Sequence, residues 1–78
     1  MEAGTLKNWN SEKGYGFVQM RDPNAPDAFL HIREIRNLAN GDIPTVGDVV
    51  LFDIAAPAEG RPSPRAVNAL IILGPEQN

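Results

Sequence analysis

Aromatic rings stand at alternate positions in two short segments of this chain: Tyr15 with Phe17, and Phe29 with His31. Both segments have the composition of β-strands, and side chains at positions i and i+2 leave a strand on the same face. The two members of each pair are therefore expected to lie on one face of a sheet. A nucleobase stacks on an exposed ring without needing a matched hydrogen-bond pattern. The spacing thus predicts a surface on which unpaired bases stack.

A purely structural interpretation of the same residues stays open. Gly14 and Gly16 could serve only a tight turn and a bulge, while Tyr15 and Phe17 cover each other or a neighbouring chain. His31, taken alone, is equally well explained as a hydrogen-bonded surface histidine. The pattern alone does not decide between this interpretation and base stacking.

The charge balance argues against a protein that coats nucleic acid indiscriminately. Seven Lys and Arg stand against ten Asp and Glu, which gives a formal net charge of −3. Residues 1–39 carry five basic and five acidic side chains, whereas residues 40–78 carry two and five. The half that holds most of the rings is neutral, and the acidic excess lies in the other half. Any binding to a polyanion must then depend on more than charge.

Length and the lack of cysteine limit the classes of protein. Seventy-eight residues make one small domain of marginal stability, which we expect to span residues 1–74 with a flexible tail at 75–78. Without cysteine there is no disulfide framework, and with a single histidine no metal site is expected. The start of the chain lacks the pattern of a secretory signal, and the longest apolar run, Ala69–Leu73, is too short to span a bilayer. We therefore expect a cytoplasmic protein without membrane contact.

Alternation of apolar and polar residues, together with the positions of Gly and Pro, predicts five short strands and little helix. The expected strands are 4–10, 14–20, 28–32, 48–54 and 65–73, with one helical turn at 34–38. Five short strands without a crossover helix favour an all-β fold, namely a small antiparallel barrel that leaves few exposed edges.

The same alternation divides the apolar residues between a core and an outer surface. The predicted core residues are Leu6, Val18, Met20, Leu30, Val50, Phe52, Ile54, Val67, Ala69 and Ile71. Four of the five aromatic residues fall outside this core, although a small domain would normally bury its largest side chains. Leu51, Leu70 and Ile72 are also predicted to face outward, where they could form an apolar edge for dimerisation or for docking another domain.

Five short sequence blocks follow one another along the chain in a characteristic order and with characteristic spacing. They are Gly4-x-Leu6-Lys7-x-Trp9-Asn10, Lys13-Gly14-Tyr15-Gly16-Phe17-Val18, Asp27-Ala28-Phe29-Leu30-His31, Gly47-Asp48-x-Val50-x-Phe52-Asp53-Ile54 and Pro64-x-Ala66-Val67-Asn68. The second block fits the ribonucleoprotein pattern, but it comes too early in the chain for an RNA-recognition motif. Together the blocks resemble the cold-shock domain of bacterial cold-shock proteins, a five-stranded OB-type barrel.

The resemblance implies binding of single-stranded RNA or DNA through rings on the first three strands. The positions that match the family's rings and backbone-contacting lysines are Trp9, Tyr15, Phe17, Phe29, His31, Lys7 and Lys13. Arg33, Arg36 and Arg61 are further candidates for stacking or for phosphate contact. The placement of Trp9 depends on register, because a shift of one residue would turn its ring inward.

The chain departs from the family pattern in ways that weaken the expected platform. It has Asn8-Trp9 where the family usually has Trp-Phe, so one ring of the first strand is lost. Ile32 follows His31 where a Phe is usual, and residues 33–47 contain no ring where the family loop offers one. Since a stacked base contributes about 1–3 kcal/mol, these losses predict weak, selective binding rather than strong coating.

No constellation of residues predicts catalysis. The single histidine lies with the rings, and Gly14-x-Gly16 lacks the third glycine of a dinucleotide-binding loop. We therefore expect a binding protein without cofactors that acts as an RNA chaperone or a regulator of gene expression. A second class stays open, namely a protein-interaction or dimerisation module with little nucleic-acid binding, such as the N-terminal domain of a longer protein. We expect a monomer, with a homodimer through the apolar edge as the alternative.

Overall fold

Five strands form a closed barrel in a computed structural model that describes residues 1–39 and 41–73. In chain order the elements are β1 (Glu2–Asn10), β2 (Tyr15–Met20), β3 (Ala28–His31), a 3-10 turn (Ile32–Glu34), β4 (Val49–Ala55) and β5 (Arg65–Leu73). Around the barrel the strand order is β1-β2-β3-β5-β4. The predicted all-β, five-stranded OB-type barrel is confirmed. The expected tail at 75–78 and the expected domain end at residue 74 lie outside the described residues.

One pair of neighbouring strands is parallel in a barrel that is otherwise antiparallel, as predicted. β3 and β5 run in the same direction, with Phe29 opposite Arg65 and Leu30 opposite Ala66. The other four neighbouring pairs are antiparallel. Strands in a closed ring of five cannot alternate in direction throughout, so at least one parallel pair is unavoidable. This pair brings the start of β5 beside the ring-bearing strand β3.

The buried core draws side chains from all five strands and from the segment that follows β3. Its members are Leu6, Val18, Ala28, Leu30, Ile35, Val50, Phe52, Ala66 and Ala69. Of the predicted core residues, Met20 and Ile71 are only partly buried against this cluster. The barrel interior is therefore filled mainly by aliphatic side chains and one phenylalanine, and the remaining rings lie nearer to its surface.

Two predicted core residues, Val67 and Ile54, are not buried, and the cause is the irregular pairing of β4 with β5. Asn68 has a positive φ of 51°, which breaks the alternation of β5. Ala66 and Ala69 consequently both face the core although they are three positions apart, and Val67 is left half-buried. Ile54 follows a register shift between the two strands and is 45% exposed. Alternation predicts the buried face only where pairing is regular.

The helical turn predicted at 34–38 lies earlier, as the 3-10 turn Ile32–Glu34, and the segment that follows it packs along β5. Ile35 bridges to Ala69 in a parallel pairing, and the Arg36 N–H donates to the Ala69 carbonyl at 2.8 Å. The Asn37 side chain then takes the place of a strand: Nδ2 donates to the Ile71 carbonyl at 2.8 Å, and Oδ1 accepts from the Ile71 N–H at 2.9 Å. These bonds satisfy backbone groups of β5 beyond its short pairing with β3.

Apolar side chains cluster on the outer surface of β4 and β5, as predicted. Leu51 and Leu70 lie opposite each other and are half-buried, while Val49 is 37% exposed and Ile72 is 44% exposed. The use of this edge for dimerisation stays a prediction. Within the described part of the chain, no helix has the length and apolar character needed to cross a bilayer.

Replacing Asn37 with Ala should lower the free energy of unfolding by about 1–2 kcal/mol, because both backbone groups of Ile71 lose their partner. Urea unfolding followed by circular dichroism measures this change. Asn24→Ala is the matched control, since the exposed Asn24 side chain makes no hydrogen bond with the described residues. The control should change stability by less than about 0.5 kcal/mol. Equal effects of the two substitutions would contradict the role given to Asn37.

Candidate nucleic-acid interface

The register of β2 and β3 places four of the predicted rings on one surface. In antiparallel pairs, directly opposed residues share a face of the sheet. Tyr15 lies opposite His31, and Phe17 lies opposite Phe29. We call the surface formed by these four residues the ring face. All four side chains are partly exposed, so solvent and ligands can reach them.

Phe29 lies at the centre of the ring face. Its ring centroid is 5.1 Å from that of Tyr15, with an interplanar angle of 37°. The centroid of Phe17 is 5.8 Å away, with an angle of 73°. These are the separations of favourable aromatic pairs. Because the rings support one another, little ordering is needed before a base stacks on them.

A cleft opens on each side of Phe29. The larger, of about 220 Å³, lies between the rings of Phe17 and Phe29 and the loop 56–64. The smaller, of about 150 Å³, lies between Phe29, His31 and the start of β5. The Arg61 guanidinium stands over the Phe29 ring, 5.9 Å from its centroid, within cation–π range. Phe29 therefore borders both clefts, with Arg61 over its ring.

His31 combines its place on the ring face with a structural hydrogen bond. Its Nδ1 accepts from the Arg33 N–H at 3.1 Å and caps the 3-10 turn after β3. A backbone N–H can only donate, so Nδ1 is the acceptor of this bond. The interpretation of His31 as a hydrogen-bonded surface histidine is correct, and the same ring is still available beside Tyr15.

A β-bulge in β1 separates Trp9 from the ring face. The register with β2 shifts between Leu6 and Asn8, so that Asn8 lies opposite Phe17 and Trp9 lies opposite Gly16. Asn8 therefore shares the ring face, whereas Trp9 packs against the core and its Nε1 is buried. The inward turn expected from a one-residue change of register is what the bulge produces. The structure does not bring Trp9 together with the other predicted rings.

Gly16 makes room for the inward position of Trp9. A Cβ at Gly16 would overlap the carbonyl oxygen of Asn8 and would lie 2.8 Å from Cε3 of the indole. No flexible side chain can relieve the first of these overlaps, because the Asn8 oxygen belongs to the backbone. The glycine between Tyr15 and Phe17 thus permits β1 and β2 to approach closely.

The predicted lysines and Arg33 lie at the margins of the ring face. Lys7 falls at the bulge of β1, and its Nζ forms a 2.9 Å ion pair with Asp27. Lys13 is exposed in the turn between β1 and β2, and Arg33 is exposed in the 3-10 turn after β3. Since Tyr15 pairs with His31, these two cations lie at the same end of the β2–β3 pair.

Arg65 is a candidate that the sequence pattern did not single out. It lies opposite Phe29 in the parallel pair and borders both clefts. Its Nε donates to the Ala56 carbonyl at 2.8 Å, which restrains the side chain. Arg36, by contrast, donates to Asn68 Oδ1 at 3.1 Å and so contacts β5. A basic residue at the start of a strand was the available signal, but only the parallel pairing places Arg65 beside the rings.

Stacking and hydrogen bonding are the chemistry that this surface supports. Among residues 1–39 and 41–73, no group of three or more His, Asp or Glu side chains could hold a metal ion. The larger cleft is lined mainly by apolar surface, with arginines at its border. Such a surface suits a ligand with flat apolar faces and polar or anionic edges.

A small closed barrel with rings exposed on neighbouring strands is a binding barrel of the OB type. The sequence model of the family described as the "'Cold-shock' DNA-binding domain" matches residues 2–70. The chain belongs to the cold-shock domain family. This family generally binds single-stranded nucleic acids.

Individual relatives agree with this assignment. The chain is 38% identical over 68 residues to the cold shock protein ScoF of Streptomyces coelicolor, covering 87% of this chain and 94% of that protein. It is 37% identical over 60 residues to the cold shock protein CspC of Bacillus subtilis, covering 77% of this chain and 86% of that protein. The solved structure of Drosophila Unr CSD456 matches 99% of this chain with a TM-score of 0.66 at 22% identity, and the match spans 29% of that longer chain. This last likeness concerns the fold alone.

Replacing Gly16 with Ala should lower the free energy of unfolding by about 1–3 kcal/mol, because the added methyl meets the backbone of β1. The emission of Trp9, the only tryptophan, should shift to longer wavelength as the indole leaves the core. Gln19→Ala on the same strand is the control, since Gln19 is exposed and both properties should stay nearly unchanged. An unaltered stability and emission in Gly16→Ala would rule out the close packing described here.

Proposed function

We propose that this protein binds single-stranded RNA or DNA by stacking bases on the ring face. The position of Phe29 carries the proposal, because this ring contacts two others and lies between two clefts. A stacked base contributes about 1–3 kcal/mol, so a few platforms give measurable affinity even where charge contributes little. Tyr15, Phe17, Phe29 and His31 are the proposed platforms. We assign Trp9 to supporting the sheet from its inner side.

Charge has a secondary part in the proposed binding. The chain carries a net charge of −3, and Lys7 is already paired with Asp27. Arg61 and Arg65 lie beside Phe29, where a planar guanidinium can stack on a base or pair with a phosphate. Lys13 and Arg33 are further proposed phosphate contacts at one end of the ring face. Because few cations lie where the nucleic acid would bind, its binding should release few counterions.

The proposed mechanism is passive. Bases held on the ring face cannot pair with one another, so binding shifts hairpins and duplexes towards single strands by mass action. Such a mechanism requires no catalytic group and no cofactor. The cellular role that fits it is that of an RNA chaperone or a regulator of gene expression. We propose that the protein acts in this way as a cytoplasmic monomer.

Phe29→Ala should weaken binding of a uridine hexamer about 5- to 150-fold, because at least one stacked base loses its platform. Phe17→Ala should also weaken binding of the hexamer, for the same reason. Fluorescence anisotropy of an end-labelled hexamer at low salt measures both effects. Anisotropy is preferable to Trp9 emission, since Trp9 packs against the core and not on the ring face.

Val46→Ala is the control for these truncations. Val46 is 53% exposed and lies outside the strands, so its loss should leave affinity unchanged. Circular dichroism establishes that each variant is folded. Wild-type affinity in both folded phenylalanine variants would exclude stacking on the ring face as the source of binding.

Asp27→Asn should raise the affinity for the hexamer and steepen its salt dependence, because Lys7 loses its ion-pair partner and becomes free to contact a phosphate. The log–log slope of the association constant against salt should grow in magnitude by up to about 0.7. Titrations at several salt concentrations measure the slope. Asp22→Asn makes the same change of charge in the same loop without touching Lys7, and an amide still accepts the Asn24 N–H. Identical slopes in the two variants would argue against a masked phosphate contact at Lys7.

A further inference from the structure

Asn8 lies on the ring face, in line with its two phenylalanines. The register joins Asn8 to Phe17, Phe17 to Phe29, and Phe29 to Arg65, so these four residues form one row across the sheet. Asn8 is exposed, and directly opposed residues have Cβ atoms about 4.5–5.5 Å apart. A base stacked on Phe17 would therefore have one edge beside the Asn8 amide.

The bulge in β1 fixes the orientation of this amide. Asn8 Oδ1 accepts from the Phe17 N–H at 3.2 Å. Because a backbone N–H can only donate, the oxygen of the amide must face it and the nitrogen must not. The Nδ2 group makes no hydrogen bond with the residues that the structure describes. Asn8 therefore offers a free donor at the edge of the Phe17 platform.

Nucleobases differ in what they offer to a donor at this place. Uracil, thymine and guanine carry a carbonyl oxygen where cytosine and adenine carry an amino group. An amide N–H₂ bonds the carbonyl, whereas opposite an amino group both partners are donors and neither is satisfied. We propose that Asn8 is a specificity-determining residue. When a base stacks on Phe17, Asn8 selects a base with a carbonyl oxygen over one with an amino group at the same position. This inference rests on the proposed function.

An amide at this position acts differently from a ring. A ring adds stacking energy that every base shares, because every base has a π-face. An amide adds a directional bond that depends on the donor and acceptor pattern of the base edge. Asn8 stands where the family usually has a ring. It therefore lowers the affinity for every base and adds discrimination between bases.

The test compares uridine and cytidine hexamers, whose rings have the same size and differ along one edge, with O4 and N3–H in uracil against N4–H₂ and an unprotonated N3 in cytosine. Anisotropy titrations at one fixed low salt concentration give the ratio of the two affinities for each variant. Asn8→Ala should lower the preference for uridine about three- to tenfold, the effect of one hydrogen bond. Asn8→Asp keeps an acceptor for the Phe17 N–H but replaces the donor by a carboxylate, which accepts from cytosine N4. Its preference for uridine should fall below that of Asn8→Ala.

Asn24→Asp is the control for added negative charge. Asn24 is exposed in the loop between β2 and β3, away from the ring face, and its side chain makes no hydrogen bond with the described residues. Asn24→Asp should change the affinity for both hexamers alike and leave their ratio unchanged.

The possible outcomes separate this inference from the proposed function. If both hexamers bind and the ratio is the same in wild-type protein, Asn8→Ala and Asn8→Asp, the specificity role of Asn8 is overturned while the proposed function stands. An equal change of ratio in Asn24→Asp and Asn8→Asp would attribute the effect to charge and would also overturn it. If neither hexamer binds the wild-type protein, the proposed function fails and this inference fails with it.

Discussion

The close approach of β1 to β2 at Gly16 is the constraint on which the binding surface depends. Because Gly16 has no Cβ, the Asn8 carbonyl and the Trp9 ring can occupy the space beside it. The bulge that accompanies this contact turns Trp9 towards the core and places Asn8 opposite Phe17. One local irregularity therefore decides that a tryptophan supports the sheet from within and that an amide, not an indole, borders the rings outside.

The remainder of the surface is assembled from parts that are distant in the sequence. Pairing of β2 with β3 brings Phe29 against Tyr15 and Phe17. The parallel pairing of β3 with β5 then sets Arg65 and the loop 56–64 beside Phe29, with Arg61 over its ring. Aromatic contacts and a restrained arginine hold the platform before any ligand arrives. Preorganisation of this kind lowers the entropy lost on binding, which matters most in a protein whose net charge does not favour nucleic acid.

Much of the fold and of the ring face could be predicted from the sequence, because alternation within a strand is a local property. The five strands and the exposed pairs of rings follow from it. Trp9 could not be placed, since the bulge depends on how closely β1 meets β2. Val67 was misplaced because the positive φ of Asn68 interrupts alternation, and Arg65 was missed because its position beside Phe29 results from a parallel pairing that strand patterns do not reveal. The positions of the residues that alternation misplaced or missed are in each case set by the pairing between strands.

Two partly apolar surfaces are candidates for the binding surface. They are the ring face and the outer side of β4 and β5 around Leu51 and Leu70. Titration of ¹⁵N-labelled protein with a uridine hexamer, followed by amide chemical shifts, distinguishes them most directly. Stacking on the ring face predicts that the largest shifts cluster at Phe17, Phe29 and Arg65, with the outer side of β4 and β5 unaffected. Shifts centred on Leu51 and Leu70, or no saturable shifts at all, would contradict it.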